Sequence, residues 1–251
     1  MAQVAHLCRH PVKSAGYEQI ESARLTPGRA FPFDREWAIA HEAARFDGQP
    51  EGWVPKMNFL RGWASPALMA ITCRSDEAAR RLTLSHPTAG SLTVAPDDPA
   101  QAAALVDWLR PLWPENRPGL SHLVHVADRP MTDVPDPWIA VLNLGSNRDL
   151  GRRMGLDLSI HRWRGNLWLD GMEPWSEFGL IGQELRLGDC VLRIEERITR
   201  CRATCANPET GLADAETLAA LDAAFGHQDF GVYASVVSGG VVAVGDTVVL
   251  P

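Results

Sequence analysis

The chain has 251 residues, 45% of them hydrophobic and 22% charged, a composition of a globular protein able to bury one large core or two ordinary ones. A formal charge of −7 excludes general nucleic-acid binding, which needs clustered cations to displace the counterions of phosphates, so any anion site must be local. The N-terminal MAQVAHLCRHPVKSAG carries no apolar run before a small-residue cleavage site, and no stretch reaches the roughly 18 apolar residues of a membrane span, so the expectation is a soluble, cytoplasmic protein with no membrane or nucleic-acid partner.

The chain opens with short apolar runs broken by Pro or Gly: AQVAHLCRHPVKS, YEQIESARLTPG and REWAIAHE are each of strand length. PALMAITCR, RLTLSHP and SLTVAPDD extend this β meander. DPAQAAALVDWLRPLWP then shows helical spacing behind an Asp-Asp-Pro start signal. From Ser121 the pattern changes. HLVHVAD reads as a strand, GSNRDLGRRMG as a short helix, and RWRGNLWLDG as a strand leading to a turn, with Arg162 and Arg164 on one side and Trp163 on the other. ELRLGDCVLRIEERI, DFGVYASVVSGG and VVAVGDTVVL are alternating or β-branched runs with Gly turns. The fold class predicted is mainly β with inserted helices (α+β), in two β-barrel-like domains rather than a doubly wound sheet. The boundary falls in the Pro-rich Arg110–Gly119, giving domains of residues 1–115 and 120–251.

The five cysteines, Cys8, Cys73, Cys190, Cys201 and Cys205, are an odd and scattered set in a chain too long to need disulfide staples, so reduced thiols are expected. A lone cysteine is more often a small buried residue than a reactive one. Cys201 differs because Arg200 and Arg202 flank it and Arg197 lies a turn earlier, a positive field that favours thiolate, the form that ligates metals or attacks electrophiles. A structural zinc site would want a second close Cys or His pair to join Cys201 and Cys205, and the sequence has none. HPVKS places Lys13 and Ser14 at a strand end, FDREW places Arg35 at a strand start, and FGVYASV carries Tyr233. Singly, each has an ordinary reading as a surface charge or a strand tyrosine. Together, the basic segments next to turns would make an anion pocket in an acidic protein if they converged.

HPVKS, FDREW, RWRGNLWLDG, RCRATCANPETG, FGVYASVVSGG and the closing VGDTVVL together resemble the MOSC family, in the version with an N-terminal β-barrel domain that includes the mitochondrial amidoxime-reducing component and its bacterial relatives. The order and spacing run from Pro11 to Leu250. The resemblance implies an N-terminal MOSC-type barrel followed by a MOSC barrel. It also implies binding of the molybdenum cofactor (molybdopterin with its metal), with Cys201, seven residues before Pro208, as the catalytic cysteine and metal ligand. By the same resemblance Lys13, Ser14, Arg35, Ser146, Arg164, Arg200 and Tyr233 contact the pterin or its phosphate, and Thr199 supplies backbone or hydroxyl contacts. Three positions depart from the family pattern: Ile198 where a second cysteine often stands, Asn207 for the Asp of the turn, and Gly165 for the Pro of an R-x-R-P-N run. Asn still caps a turn as Asp does.

The activity implied is an oxidoreductase taking small N-hydroxylated substrates, namely hydroxylamines, amidoximes or hydroxylaminopurines. Some bacterial relatives append a ferredoxin-like domain. Here the electrons are expected from a separate electron-transfer protein of ferredoxin, flavodoxin or cytochrome type. Two alternatives remain: a carrier of the cofactor or of persulfide sulfur on Cys201, and a degenerate barrel that binds neither.

Overall fold

Alternation of buried and exposed residues sets strands such as RLTLSH, and continuously buried, mainly apolar runs such as IAVLN set others, in the computed structural model, which describes residues 1–250. In chain order these are β1 (Gln3–Arg9), β2 (Glu18–Ile20), β3 (Ser22–Leu25), β4 (Trp37–His41), β5 (Thr72–Asp76), β6 (Arg81–His86) and β7 (Gly90–Val94), followed by helix α1 (Pro99–Leu109) and β8 (Leu120–His125). Then come β9 (Ile139–Asn143), helix α2 (Leu144–Met154), β10 (Leu167–Asp170), β11 (Glu184–Leu187), β12 (Cys190–Thr199), helix α3 (Thr217–Phe225), β13 (Asp229–Ser238), β14 (Gly240–Ala243) and β15 (Val248–Val249). The protein is mostly β with three helices among the described residues, as expected. None of those helices is long and apolar enough to cross a membrane.

The large sheet has eight strands in the order β15-β11-β12-β13-β9-β10-β1-β2. Only β9 and β10 pair in parallel there, and the crossover between them carries α2, since parallel neighbours need a long connection. The start of β1 also reaches the far edge: the Val4 amide donates to the Asp246 carbonyl at 2.9 Å and the Val248 amide to the Ala2 carbonyl at 2.9 Å, so the sheet curls back on itself. Its interior is filled by Leu7, Val141, Leu167, Leu187, Ile194 and Val232, while Trp163, Trp168, Leu142 and Phe230 pack its outer face beneath α2 and α3. Each such side chain contributes about 1.5–3 kcal/mol on burial.

A second core is built around Trp37, Ile39, Leu68, Leu82, Leu84 and Leu109, from the two-stranded β4-β8 sheet, the β5-β6-β7 meander and α1. The Asp-Asp-Pro signal works as read, because the Asp98 carboxylate accepts from the Ala100 and Gln101 amides and caps α1.

The structure differs from the expected elements at two places. Pro66–Ala70 and Ile160–Trp163 are 3-10 turns, so PALMAITCR becomes strand only from Thr72, and RWRGNLWLDG only from Leu167. Arg162 and Arg164 therefore do not alternate with Trp163 along a strand. Strands from both halves of the chain share sheets: β8 pairs with β4, whereas β1 and β2 extend the large sheet and β3 pairs with β14.

Candidate functional site

The end of β1 runs into HPVKS, and backbone bonds lace that segment to FDREW. The Lys13 amide donates to the Trp37 carbonyl at 2.7 Å, the Arg35 amide to the His10 carbonyl at 2.8 Å and the Trp37 amide to the Pro11 carbonyl at 3.1 Å. Both segments then turn sharply. Ser14, Arg35 and Arg164 have positive φ of 62°, 53° and 50°, a left-handed conformation uncommon for residues other than glycine. All three face one cavity, a concentration of backbone strain typical of functional sites.

That cavity has a volume of about 440 Å³ and is lined by Lys13, Ser14, Arg35, Arg164, Thr199, Arg200, Cys201 and Tyr233, residues drawn from the whole length of the chain. Lys56, Arg61, Arg162 and Arg202 add further cations, and only Asp34 and Asp133 add carboxylates. A protein with a negative total charge thus concentrates positive charge in one place.

Most of these cations are fixed by backbone carbonyls. Arg35 donates to the Arg164 carbonyl at 3.0 Å and pairs with Asp34. Arg164 donates to the carbonyls of Gly16 and Val12 at 3.2 and 3.3 Å. Arg200 donates through Nε to the Phe230 carbonyl at 2.7 Å and through one terminal nitrogen to the Trp163 carbonyl at 2.8 Å; its other terminal nitrogen, Nη2, is buried with no partner. Carbonyls orient a guanidinium without neutralising it. Burial, reinforced by Arg35, pushes the Arg164 guanidinium down to about 9, and burial pushes Arg200 down to about 10. A guanidinium keeps its proton near neutrality, so the pair is poised for negative charge from a ligand.

Lys13 is buried and donates to the Met131 carbonyl at 2.7 Å and to the Asp133 carboxylate. Lys13 and Arg35 hold the half-exposed Asp133 carboxyl below the usual carboxylate range. Behind them lies buried His10, whose Nδ1 lies 2.9 Å from Asp34 Oδ1. Burial, then Arg164, pushes His10 down to about 3, so it is neutral, with Nδ1–H the donor. Burial, then Asp133, pushes the Tyr233 hydroxyl up to about 12; it keeps its proton and is a donor on the cavity wall.

Cys201 lies two residues beyond the end of β12, at the N-cap of a 3-10 turn over Arg202–Cys205. It is exposed, and the other four cysteines are buried. Burial pushes Cys8 and Cys73 up to about 12, which leaves those thiols inert near neutrality. Cys205 packs against Thr217. The NPETG turn closes as the sequence implies: the Asn207 side-chain oxygen accepts from the Glu209 amide at 2.8 Å, and the Gly211 amide returns to the Asn207 carbonyl at 2.9 Å. Gly211, at φ 70°, packs so closely on Ala67 that an added Cβ would sit 2.9 Å from the Ala67 Cα. The turn after Cys201 is thereby seated on the second core.

Two expected contributors lie elsewhere. Ser146 is buried in the first turn of α2, where its hydroxyl donates to the Glu177 carboxylate at 2.8 Å and accepts from the Trp175 amide at 2.7 Å; it does not line the cavity. Its partner lies 31 residues downstream, beyond any local pattern. Arg197 lies over the Phe178 ring at 4.3 Å and does not line the cavity. Arg162 spans from the Ala206 carbonyl at 2.8 Å to Asp214 at 2.6 Å and so ties down the loop after Cys201. Asp34, Lys56, Arg61 and Asp133 were not anticipated. Asp34 could have been found from its place beside Arg35, whereas nothing in TDVPDP marks Asp133.

A family model described as the MOSC domain matches residues 128–249, and one described as the MOSC N-terminal beta barrel domain matches residues 1–110. The chain is 32% identical over 96 residues to a molybdenum cofactor sulfurase of Drosophila mojavensis and 33% identical over 96 residues to that of Drosophila grimshawi. Each match covers 38% of this chain and 12% of the relative, so the similarity spans a small part of those longer proteins. A solved structure of the YUAD protein from Bacillus subtilis is 13% identical, covering 98% of this chain and 93% of that one with a TM-score of 0.46.

Proposed function

Because this chain belongs to the MOSC family, we propose that its cavity holds the molybdenum cofactor and that the protein reduces small N-hydroxylated compounds, using electrons from a separate donor protein. The observation that carries this reading is the pairing of one exposed thiol, Cys201, with the buried and unpartnered Nη2 of Arg200 in the same cation-lined cavity. A soft thiolate suits a soft metal, and a phosphate or an electron-rich pterin would supply what Arg164 and Arg200 lack. In this reading Arg164, Arg200 and Lys13 bind the anionic portion, Ser14 offers a hydroxyl, Thr199 lines the wall with its own hydroxyl donated to the Asp229 carboxylate at 2.6 Å, Arg35 buttresses Arg164, and Cys201 is the metal ligand.

When bound, the cofactor supplies a redox-active metal suited to oxygen-atom transfer. The net reaction breaks the N–O bond, consumes two electrons and two protons, and leaves the reduced nitrogen compound and water. Tyr233 holds a proton at its hydroxyl throughout the neutral range and so acts as a fixed hydrogen-bond donor rather than a titrating acid. The fully buried His10 and Asp34 set the position of Arg35 and exchange no proton near neutrality.

A second reading is favoured by the relatives, which are named as molybdenum cofactor sulfurases: Cys201 would carry sulfur or deliver cofactor. Protein made in a host that synthesises the cofactor separates the two. A reductase retains molybdenum through purification and turns over a hydroxylamine or amidoxime with an artificial electron donor. A carrier shows labile sulfane sulfur on Cys201 and no turnover. We place the protein in the cytoplasm on the same footing.

A further inference from the structure

The cavity opens through a rim of cations. Lys56 and Arg202 line the cavity and are exposed, so they stand where it meets solvent, and Arg61 is half-buried beside them. The guanidinium carbons of Arg61 and the exposed Arg117 lie 4.9 and 4.7 Å from the centre of the Trp63 ring, which itself lines the cavity. Among the described residues none of these four cations is in a salt bridge, which is equally true of the exposed Arg24, Arg45, Arg74, Arg81, Arg186 and Arg193; the four differ in gathering about one cavity mouth and one indole. Asp133, the acid nearest to hand, is engaged by Lys13.

We propose that this rim is the docking face for a small acidic electron-transfer protein, whose carboxylates meet Lys56, Arg61, Arg117 and Arg202 around Trp63 and so bring its redox centre beside Cys201. The inference rests on the reductase reading and names the kind of partner that reading requires. Charge complementarity argues for it. The formal charge of −7 repels an acidic protein overall, and the cations clustered at the cavity mouth attract it there, which fixes orientation as well as rate. A half-buried indole with two guanidiniums over its ring also has the form of an interface anchor, an apolar centre beside a polar rim. Each turnover takes two electrons, so a one-electron donor must dock twice, and fast, salt-sensitive encounter serves that need better than a tight complex.

The test titrates the cofactor-loaded protein with an acidic [2Fe–2S] ferredoxin as the probe and a basic cytochrome as the oppositely charged control. Binding is measured at about 0.01 M and about 0.15 M salt, where the Debye length falls from about 30 Å to about 8 Å. Ferredoxin affinity is expected to fall at least about tenfold across that range and, at the lower salt, about tenfold in Arg117→Glu but little in Arg117→Lys, while the cytochrome binds weakly throughout. Amidoxime reduction driven by a small viologen dye should be equal in wild type and Arg117→Glu, because Arg117 lies outside the cavity, and ferredoxin-driven kcat/KM should drop. Dye-driven turnover together with ferredoxin binding that ignores salt or Arg117, or that the cytochrome matches, overturns the docking face alone. Absence of turnover even with dye overturns the reductase reading, and the electron-docking role with it.

Discussion

Lys13 and Asp133, 120 residues apart in the chain, form an ion pair inside the cavity, with the ammonium buried and the carboxylate about half exposed. The acid therefore acts as an internal counter-ion that an anionic ligand must displace or share. Asp133→Asn should lower stability by about 1–2 kcal/mol, between the values for exposed and buried pairs, a fall of about 2–8 °C in Tm for a chain of this size. Added inorganic phosphate should raise Tm more in the variant than in wild type, as read by thermal unfolding. Equal phosphate shifts would show that Lys13 does not face the ligand.

The buried histidines make stability depend on pH. His10 takes up its proton only near pH 3 in the fold, whereas an unfolded histidine does so near 6.5. Between those values the unfolded chain binds more protons, so stability rises with pH across the window and is complete above about 6.5. His161, pushed down to about 4 by burial and then His6, acts in the same sense. At lower pH Asp34 adds to the loss: burial alone would raise its carboxyl, but Arg35 and His10 hold it below the usual range, and its contribution disappears as pH falls below about 4. Urea midpoints should climb from pH 4.5 to pH 7 and level off, with a shallower climb in His10→Gln. A flat profile from pH 4.5 to 7 contradicts this assignment.

Gly231 controls Arg200. It sits at φ 75°, and an added Cβ would lie 2.8 Å from Leu142 Cγ, 2.9 Å from the Val141 carbonyl and 3.3 Å from Arg200 Nη2. Gly231→Ala should cost about 1–3 kcal/mol through strain at that backbone position. It should also lower molybdenum content in protein from a cofactor-competent host, because it displaces the guanidinium nitrogen that has no protein partner. Full metal content at reduced stability would separate Arg200 from the cofactor.

Arg200→Lys tests the same group without touching the backbone. An ammonium cannot span the Phe230 and Trp163 carbonyls and still present a third nitrogen, so the change should cost about 1–2 kcal/mol and most of the bound cofactor. Pterin content measured after denaturation reads the loss, and a variant that keeps full pterin would show that Arg200 is a structural brace only.

What the sequence disclosed, and what it hid, follows from the range of the interactions. Strands with clean alternation, such as β6, and the capped helix α1 were legible because their signals are local. The turn after Cys201 was legible in the same way, since Asn207 and Gly211 each serve a backbone need within a few residues. Ile160–Trp163 was misread because an Arg-Trp-Arg alternation mimics a strand, while Arg164 in fact adopts a left-handed conformation that ends a 3-10 turn. The placement of Ser146 failed because a buried carboxylate, Glu177, claims its hydroxyl. Asp133 escaped notice because its meaning exists only once Lys13 is beside it. The resemblance to known proteins supplied which cation-bearing segments to bring together, and the fold supplied the single cavity on which they converge.

The proposed role of Cys201 as metal ligand is decided by molybdenum per chain, with amidoxime turnover by dye, in Cys201→Ser and Cys205→Ser made in a cofactor-competent host. Serine is nearly isosteric but a harder and far less acidic donor, and Cys201 is exposed, so its replacement should leave the fold intact. Cys201→Ser should lose turnover by at least about a hundredfold, as for loss of a group that acts at the reacting centre, with pterin reduced less than activity. Cys205→Ser, changed at a buried thiol against Thr217, should keep most of its metal and activity. Wild-type turnover in Cys201→Ser, or loss of metal in Cys205→Ser alone, would contradict that role.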